Sequence, residues 1–463
     1  MFLKSIPLTL VISLVGSQAY AASFDNFTPL PNSVPAGSLP EETPLLLSSP
    51  NFIQESISAN DRGPQNGGVK LGDNWDMITL NENGPDAGRY LFSPYETGSA
   101  GVRRLDLWTG TAASIVPEGT QGFVSGDASL WTPWGSYLTA EESWGTGSTK
   151  GRLFEITNPL DAPGSINFVH RTIIPRVSHE GLAFDTDNNL YFIDELNGGN
   201  IYRYTSINPN ATNGDDFFAA GQTSVLKVGG GNNANAFGAA IWEALTDING
   251  VVLPGLASAV LGDGTLDGRL AANLAGGTDY QRPEDLEIQT LADGSQFLYF
   301  TATTTDDSWS ILLNGANPTV NQFVSTNTID EATGLPVGSV FNSPDNLAID
   351  ANGNIYIVED QPGGDADIWF VRDVNRDGVA ESIARWASMS TIGAEPTGLY
   401  FDKFNPKVAY LNIQHTASDI DRTIQITVVP EPLTLLGVGT AIGFGTFFKG
   451  KKRKFSQTDK KLG

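Results

Sequence analysis

Short apolar stretches alternate with turns rich in Gly, Asn and Asp along much of the chain. Five such units begin at Trp134 (WGSYLTAEE), Asp185 (DTDNNLYFIDE), Ala292 (ADGSQFLYFTA), Asp350 (DANGNIYIVED) and Phe401 (FDKFNPKVAYLNIQ). Apolar residues at every second position are typical of β-strands, and Asn-Gly or Asp-Gly steps favour hairpin turns because they tolerate positive φ. Each unit is therefore predicted to be a β-hairpin.

The stretches that lead into these hairpins resemble one another. They read WTPWG from Trp131, HEGLAFD from His179, RPEDLEI from Arg282, SPDNLAID from Ser343 and EPTGLYFD from Glu395. Their starting positions are 48, 103, 61 and 52 residues apart. Repeats of about 40–50 residues are typical of propeller blades, which have four strands each. The sequence thus predicts an all-β propeller, with an array of β-sandwiches as the structural alternative.

Three other regions complete the predicted organisation. Residues 22–85 are rich in Pro, Ser and Asn and are predicted to form a leader loop before a propeller domain at 86–428. The long gap at 206–281 is rich in Gly, Ala and Asn, which predicts an irregular insertion over one face of the propeller. Within it, AFGAAIWEAL from Ala236 reads as helix-like.

Acidic residues recur where the predicted strands begin. Glu180, Glu284, Asp345 and Glu395 precede strands, whereas Asp350 and Asn352 lie in a turn and are assigned to it. Equivalent strand ends of a propeller converge on its central channel, so these carboxylates are expected to face one axis. Because collected carboxylates repel one another strongly, the pattern predicts cations between them.

The charge of the chain agrees with cation binding and excludes one class of partner. The formal net charge is −25, and removal of residues 1–21 and 449–463 leaves 19 basic and 51 acidic side chains. Such a body has no basic stripe for nucleic acid. Two interpretations remain, a solubilising surface and a set of carboxylates that bind hard cations such as calcium. Because the chain has no cysteine, disulfides, zinc-thiolate sites and thiol nucleophiles are excluded.

Both termini read as targeting segments. Residues 1–21 combine one lysine, an apolar run and small residues before the cleavage position, which predicts a secretory signal peptide. Residues 429–463 contain Pro-Glu-Pro, an apolar transmembrane stretch at 433–448, predicted to be helical, and a basic cluster. This arrangement resembles the PEP-CTERM sorting signal of bacteria. The resemblance implies a sorting protease, exopolysaccharide association and a location at the cell surface, in the periplasm or in the extracellular matrix; the alternative is a permanent anchor.

The strand-entry motifs together resemble the PhoX-type alkaline phosphatase family. The matching segments are TPWGSYLTAEES (132–143), SHEGLAFD (178–185), RPEDLEI (282–288), SPDNLAID (343–350), EPTG (395–398) and YLNIQH (410–415). The resemblance implies a six-bladed propeller that hydrolyses small phosphate esters with calcium and ferric iron bound near its axis. Clustered hard cations suit this chemistry because they neutralise the substrate charge and stabilise the transferring phosphoryl oxygens.

The resemblance also implies roles for individual residues. Arg282 is expected to grip phosphate, since its planar guanidinium offers two parallel contacts, and Glu142 is the second predicted catalytic residue. The structural alternative for Arg282 is a salt bridge to a neighbouring blade. The family's cysteine ligand for iron aligns with Asp127, so calcium is the firmer expectation and iron the optional one. The implied metal ligands are Asp127, Glu141, Glu142, Glu180, Glu284, Asp345, Asn346, Glu359 and Glu395.

A second calcium motif lies near the end of the body. DVNRDGVAE places oxygen-bearing side chains at Asp373, Asn375 and Asp377, with glycine at the sixth position, as at the start of an EF-hand loop. The twelfth position is Ala384 rather than glutamate. A structural calcium loop and an ordinary hydrophilic turn both remain open.

Three functions are compatible with these features. The first is a secreted metal-dependent phosphomonoesterase of the PhoX-like type. The second is a non-catalytic, calcium-stabilised surface propeller that binds a ligand or a matrix component. The third, a propeller lactonase or esterase, would use similar calcium ligands but does not explain the Arg-Pro-Glu and paired-glutamate motifs.

Overall fold

Antiparallel strands dominate the computed structural model, which describes residues 23–145, 148–360 and 366–430. The predicted signal peptide at 1–21 and the predicted apolar helix at 433–448 lie outside the described residues. Within the described ranges, no helix is both long enough and apolar enough to span a membrane.

Six four-stranded antiparallel meanders follow one another along the described residues. They are preceded by β1 (Leu45–Leu47) and β2 (Phe52–Ala59). The first meander contains β3 (Thr79–Leu80), β4 (Tyr90–Pro94), β5 (Val102–Asp106) and β6 (Thr111–Val116). The second contains β7 (Gly126–Trp131), β8 (Tyr137–Glu141), β9 (Leu153–Ile156) and β10 (Phe168–His170). The third contains β11 (Leu182–Phe184), β12 (Leu190–Ile193), β14 (Ile201–Ser206) and β15 (Gly221–Val228), with β13 (Asn197–Gly199) in a connection.

The later meanders repeat this order. After β16 (Gly238–Ala244) and β17 (Tyr280–Gln281), the fourth contains β18 (Pro283–Thr290), β19 (Gln296–Ala302), β20 (Asp307–Leu313) and β21 (Thr319–Val324). After β22 (Ile329–Asp330) and β23 (Leu335–Pro336), the fifth contains β24 (Pro344–Ile349), β25 (Ile355–Glu359), β26 (Asp367–Arg372) and β27 (Ser382–Met389). The sixth contains β28 (Glu395–Phe401), β29 (Val408–Gln414), β30 (Arg422–Val428) and, as its fourth strand, β2.

Helical structure is sparse among the described residues. It consists of α1 (Gly214–Phe217), α2 (Gly268–Ala275) and 3-10 turns at Pro64–Asn66, Thr120–Gly122, Pro254–Ala259, Thr303–Thr305 and Gly338–Val340. Helix α2 begins where the Asp267 side chain accepts a hydrogen bond from the Leu270 amide, and it ends at Gly276, whose φ is +76°. Arg269 of α2 forms an ion pair with Asp194, which fixes this helix beside the end of β12.

The first strands of the six meanders form a closed ring. Strands β3, β7, β11, β18, β24 and β28 contact one another in this order, and Thr397 of β28 returns to the first meander by donating a hydrogen bond to Asp76. Neighbouring first strands approach so closely that two contacts require glycine. A Cβ at Gly181 would lie 2.3 Å from the Leu286 nitrogen, and one at Gly398 would lie 2.8 Å from the Ile78 nitrogen. These glycines belong to the HEG and EPTG segments.

All five predicted hairpins are confirmed as the first and second strands of meanders. Two of their turns are nearly identical. Asp185 accepts hydrogen bonds from the amides of Asp187 and Asn189, from the Asn189 side chain and from the Tyr191 hydroxyl. Asp350 accepts the equivalent four bonds from the amides of Asn352 and Asn354, from the Asn354 side chain and from the Tyr356 hydroxyl. The assignment of Asp350 to a turn is therefore confirmed.

Two regions differ from the predicted organisation. The predicted leader loop contains β1, which pairs with β27, β2, which pairs with β30, and β3, which pairs with β4. Residues before 86 therefore contribute to the first, fifth and sixth meanders. The helix-like piece at 236–245 contains the strand β16, which pairs with both β15 and β21. Pairing with two sheet edges decides its conformation, because a short apolar run alone does not distinguish a strand from a buried helix.

Aromatic side chains fill the spaces between adjacent meanders. Between the fifth and sixth, Tyr356, Trp386 and Phe401 are buried and contact one another, together with Phe24 and Phe52 from the N-terminal segment. The first and last meanders are joined by a fully buried arginine: Arg103 donates to Asn412 and stacks on Trp75. These contacts hold the ends of the ring together.

Candidate metal and active site

One carboxylate lies at the start of each first strand, and we call these six residues the carboxylate ring. Five of them are buried and Glu395 is 12% exposed. Each lies within three residues of the start of its first strand, so the fold brings residues far apart in sequence to one end of the space that the six first strands enclose, which we call the channel. The members are Asp76, Asp127, Glu180, Glu284, Asp345 and Glu395.

The tightest part of the ring is formed by three adjacent meanders. One carboxylate oxygen each from Glu180, Glu284 and Asp345 lies within 4.8 Å of the others. Glu180 lies beside the carboxyl groups of both partners, and negative charges at this distance repel one another unless protons or cations compensate them. On the other side, Asp127 interacts electrostatically with Asp76 and Asp345.

A second set of residues follows the second strands, and we call it the strand-end layer. In five meanders its backbone amide donates a hydrogen bond of 2.7–3.0 Å to the carbonyl two residues before the ring carboxylate. This repeated bond fixes the strand-end residue beside the ring. The members are Glu96, Glu142, Glu195, Thr303, Asp360 and His415.

The backbone just before the ring carboxylates is strained. Asn74, Ser125, Arg282 and Ser343, each two residues before a ring member, have φ between 39° and 52°, and Gly393 has φ of 72°. A positive φ is costly for residues other than glycine and persists only where the surrounding structure imposes it. These four residues and Gly393 indicate that the same backbone geometry directs five of the six ring carboxylates; Ser178, two residues before Glu180, does not share it.

Adjacent acidic residues at the strand ends have opposite roles. Glu141 accepts hydrogen bonds from the Arg152 side chain at 2.6 and 2.9 Å, so it anchors the next strand, whereas Glu142 interacts with Glu195 and Glu96 in the channel. The prediction that both glutamates hold metal is therefore not reproduced for Glu141. Successive side chains of a strand point to opposite faces, and only one of the pair faces the channel.

Glu359 and Asp360 also point to opposite faces of their strand, and this corrects the prediction that Glu359 holds metal. Its oxygens accept hydrogen bonds from the Asn342 amide, the Asp367 amide and the Trp369 ring nitrogen, at 3.0, 3.0 and 2.8 Å. The next residue, Asp360, is the one that interacts with Glu395 and the other channel carboxylates.

Asn346 also differs from its predicted role as a ligand. Its side-chain oxygen accepts hydrogen bonds from the Thr397 hydroxyl at 2.7 Å and the Gly398 amide at 2.8 Å. It therefore ties β24 to β28 instead of joining the carboxylate ring.

Arg282 lies among the carboxylates, and its predicted contact with phosphate stays a prediction. Its guanidinium contacts Glu195 of the preceding meander and lies 3.2 Å from Glu284, and its side chain is 37% exposed. Burial lowers the pKa of Arg282, but Glu284 and Glu195 outweigh this effect and raise it above its ordinary value. The side chain is thus a fixed cation that is accessible at the edge of the ring and also forms the salt bridge to a neighbouring meander considered above.

The site is strongly acidic overall. The ring and the strand-end layer bring together ten carboxylates; His415 is the basic residue among their members, and Arg282 lies beside Glu195 and Glu284. Burial, and then the charge of Glu96, raise the pKa of Asp76 to about 7; burial and Glu195 raise the pKa of Glu284 to about 8. The hydrogen bond to Glu96 raises the pKa of His415. Such carboxylates must either retain protons near neutral pH or bind cations.

The donor set fits a hard cation. All the acidic ligands are oxygen donors, and Oδ1 of buried Asp127 has no hydrogen-bond partner among the described residues. An orphaned buried carboxylate oxygen is costly unless something compensates its charge. Calcium takes six to eight oxygen ligands in flexible geometry, which suits a ring of carboxylates from separate strands.

The predicted secondary calcium loop is stabilised by its own backbone. Asp373 accepts hydrogen bonds from the amides of Asp377 and Gly378, Asn375 accepts one from Asp377, and Asp377 accepts one from Val379. These contacts are those of a self-contained turn. The loop is separate from the carboxylate ring and belongs to the connection between β26 and β27.

Sequence reasoning missed four carboxylates of the site. Asp76 lies in the predicted leader loop, and Glu96 follows a strand that matched none of the recognised motifs. Glu195 and Asp360 each stand directly after another acidic residue at a strand end. The alternation of side chains along β12 and β25 could have indicated which residue of each acidic pair faces the channel.

Comparison with known proteins gives a family and a fold. The sequence matches the family described as alkaline phosphatase PhoX over residues 128–323 and 302–415, which together are more than half of the chain. Pseudomonas fluorescens PhoX, solved in complex with the transition-state analogue vanadate, is similar in structure, with a TM-score of 0.62 and 17% identity over 86% of this chain and 97% of that chain. No curated protein matches the sequence.

Two further solved structures are less similar. A Bacteroides thetaiotaomicron protein of unknown function has a TM-score of 0.42 and 12% identity, covering 81% of this chain and 76% of its own. The PQQ-bound aldose sugar dehydrogenase of Streptomyces coelicolor has a TM-score of 0.41 and 13% identity, covering 81% and 98%. These TM-scores are too low to support a statement about function.

Proposed function

Because the chain belongs to the alkaline phosphatase PhoX family, we propose that it hydrolyses phosphate monoesters at the carboxylate ring with the help of bound cations. The observation that carries the proposal is the cluster of Glu180, Glu284 and Asp345, buried within 4.8 Å of one another and next to Arg282. On this proposal the six meanders are the six blades of a propeller, and the ring lies at one mouth of its channel.

The residues of the chain would divide the work as follows. Glu180, Glu284 and Asp345 hold cations together with Asp127 and Glu395, and Glu142 contributes from the strand-end layer. Bound cations supply charge neutralisation for the anionic substrate and for the phosphoryl oxygens in the transition state. Arg282 presents its guanidinium to the phosphate, and the salt bridge to Glu195 holds it at the edge of the ring.

Calcium is the proposed metal, and Asp127 decides whether iron also binds. A carboxylate can hold ferric iron as well as calcium, because both are hard cations that prefer oxygen ligands. Asp127→Cys would restore the ligand that the family resemblance implies. Elemental analysis of wild type and variant, each loaded with both metals, should show more iron in the variant than in the wild type.

The test of the function uses the full-length chain and a chromogenic phosphate monoester with calcium supplied. We expect turnover by the wild type, at least a hundredfold loss in Glu284→Gln, and a loss of about 2–4 kcal/mol in transition-state stabilisation in Arg282→Ala. The control is Glu118→Gln, at an exposed position outside the site. Absence of turnover with calcium alone and with calcium plus iron would overturn the proposal and favour a calcium-stabilised propeller that binds a ligand or a matrix component.

We also propose that the protein is exported and sorted. This rests on the signal peptide at 1–21 and on the apolar and basic segments after residue 432. A sorting protease would cleave near Pro432, after transient anchoring through 433–448, and release the protein to the surface or the exopolysaccharide layer. Mass spectrometry of the surface-derived protein tests this: peptides from 447–460 in the exported product would contradict cleavage and indicate a permanent anchor.

A further inference from the structure

A separate cavity of about 300 Å³ lies where the first strands end, away from the carboxylate ring. All six meanders contribute to its wall. Its lining combines apolar side chains, among them Ile78, Leu130, Leu182 and Leu347, with Lys403 and three acidic residues, Glu82, Asp285 and Glu287.

One layer of residues separates this cavity from the ring. Met77 lines the cavity and directly follows the ring member Asp76, while its sulfur lies 3.3 Å from the side-chain nitrogen of Asn346. Asp285, which follows the ring member Glu284, also lines the cavity and accepts hydrogen bonds from the Leu286 and Leu347 amides. The two sites are therefore distinct chambers on the same set of strands.

Several polar groups of the cavity wall already have partners. Glu82 accepts a hydrogen bond from the Tyr400 hydroxyl at 2.8 Å and forms an ion pair with Lys403 at 2.6 Å. Asn83 donates to the carbonyls of Thr132 and Pro133. These groups contribute to the shape of the wall and are already satisfied within the protein.

Glu287 is the exception. Among the described residues, no side chain donates a hydrogen bond to its carboxylate; its contacts are the amide of Ile288 and longer-range interactions with Lys403 and Glu82. Burial raises the pKa of Glu287 to about 7, Lys403 opposes this effect and Glu82 adds to it. A carboxylate that faces a cavity with so few hydrogen-bond donors is a strong acceptor for a ligand that brings a positive charge.

We propose that this cavity binds a small organic cation, with its ammonium group at Glu287 and its apolar body against Ile78, Leu130 and Leu182. An anionic ligand is excluded because Glu82 and Glu287 outnumber Lys403 in charge. A neutral apolar ligand would leave the Glu287 carboxylate without a partner. The chemistry of the site therefore specifies an amine with a compact apolar group.

The test is calorimetric titration of the full-length chain, saturated with calcium, with benzylamine and with its neutral analogue benzyl alcohol. We expect binding of the amine and at least tenfold weaker binding of the alcohol. Glu287→Gln should weaken amine binding at least tenfold. Lys403→Gln should tighten it severalfold, because it removes a like charge at the mouth of the cavity. Glu118→Gln, an exposed acidic position elsewhere, should leave it unchanged.

The results that would overturn the proposal are equally specific. Equal binding of amine and alcohol, or unchanged binding in Glu287→Gln, would remove the role of the carboxylate. Loss of amine binding in Glu180→Gln would locate the amine at the carboxylate ring instead. If Glu287→Gln does not fold, two other measurements test the proposal: the relative binding of amine and alcohol, and whether Lys403→Gln tightens or weakens amine binding. Failure of the phosphatase test would leave these outcomes unaffected, since they measure binding at a different chamber.

Discussion

The aspartates of the hairpin turns and the carboxylates of the ring are the same chemical group in opposite surroundings. Asp185 and Asp350 each accept four hydrogen bonds from neighbouring amides and side chains, at 2.7–3.3 Å. In the ring, a carboxylate oxygen of Glu180 instead lies within 4.8 Å of carboxylate oxygens of Glu284 and Asp345. A turn carboxylate is thus satisfied by its own hairpin, whereas a ring carboxylate depends on protons or cations.

The comparison also separates what burial alone does from what hydrogen-bond donors do. Burial raises the pKa of Asp350, and four hydrogen bonds oppose that effect. Burial also raises the pKa of Asp127 well above its ordinary range, and there the neighbouring carboxylates Asp76 and Glu142 add to it. The two regions therefore differ in what surrounds the carboxylate: hydrogen-bond donors at the turns and other negative charges in the ring. This difference can be tested by removing cations, donors or charges in turn.

Removal of metal should have the largest effect, and only on the ring. We expect chelation with EDTA to abolish phosphatase activity and to lower the free energy of unfolding. The loss should be about 2.7 kcal/mol if calcium had been present at a hundredfold excess over its dissociation constant. Elemental analysis and thermal unfolding with and without EDTA measure this. An unchanged melting temperature together with no bound metal would show that the ring does not depend on cations.

Replacement of a turn aspartate should destabilise the protein independently of metal. Asp350→Ala leaves two backbone amides without their acceptor, so we expect a loss of about 2–3 kcal/mol in the free energy of unfolding. The same loss should appear in calcium and in EDTA, with activity close to wild type. Urea denaturation in both conditions measures it. A destabilisation that disappears in EDTA would mean that the turn and the ring are not independent.

Neutralisation of one ring carboxylate should stabilise the protein without metal and destabilise it with metal. In EDTA, Glu180→Gln removes repulsion from Glu284 and Asp345, and we expect stabilisation by about 1–2 kcal/mol. In excess calcium the same variant loses a ligand charge and should be less stable than wild type. Asp185→Asn, on the same hairpin, is the matched control, and its effect on stability should have the same direction in EDTA and in calcium. If Glu180→Gln stabilised the protein in both conditions, or destabilised it in both, the proposed role of the ring would be contradicted.

The smallest effect concerns the chamber at the other end of the channel. The pKa of Glu287 is raised in the folded protein to about 7, so its contribution to stability is complete below its ordinary value near 4.5 and is lost as pH rises through 7. With calcium saturating, wild type should therefore lose on the order of 1 kcal/mol more stability than Glu287→Gln between pH 5 and pH 8. Parallel stability profiles of the two proteins would show that this carboxylate is not perturbed by its cavity.

Much of the site was predictable because it repeats with the meanders. Glu180, Glu284, Asp345 and Glu395 lie in similar segments, each before an apolar strand, and such segments occupy equivalent positions in a repeated fold, whereas Asp127 was predicted from the family resemblance alone. Sequence similarity between repeats therefore predicted their convergence. Asp76 was missed because the strand that follows it, β3, has only two residues and carries no alternating pattern.

The sequence by itself determined the hairpins, their turns and the family, because alternating apolar residues and turn chemistry act within a few positions of one another. Tertiary structure alone decided which of two adjacent acidic residues enters the channel. Glu142 and Asp360 face the ring, whereas Glu141 and Glu359 bind Arg152 and Trp369. It also made β16 a strand and recruited β2 to the last meander, since both depend on pairing with partners far away in the chain. Such pairings are set by the closing of the ring, which no local pattern encodes.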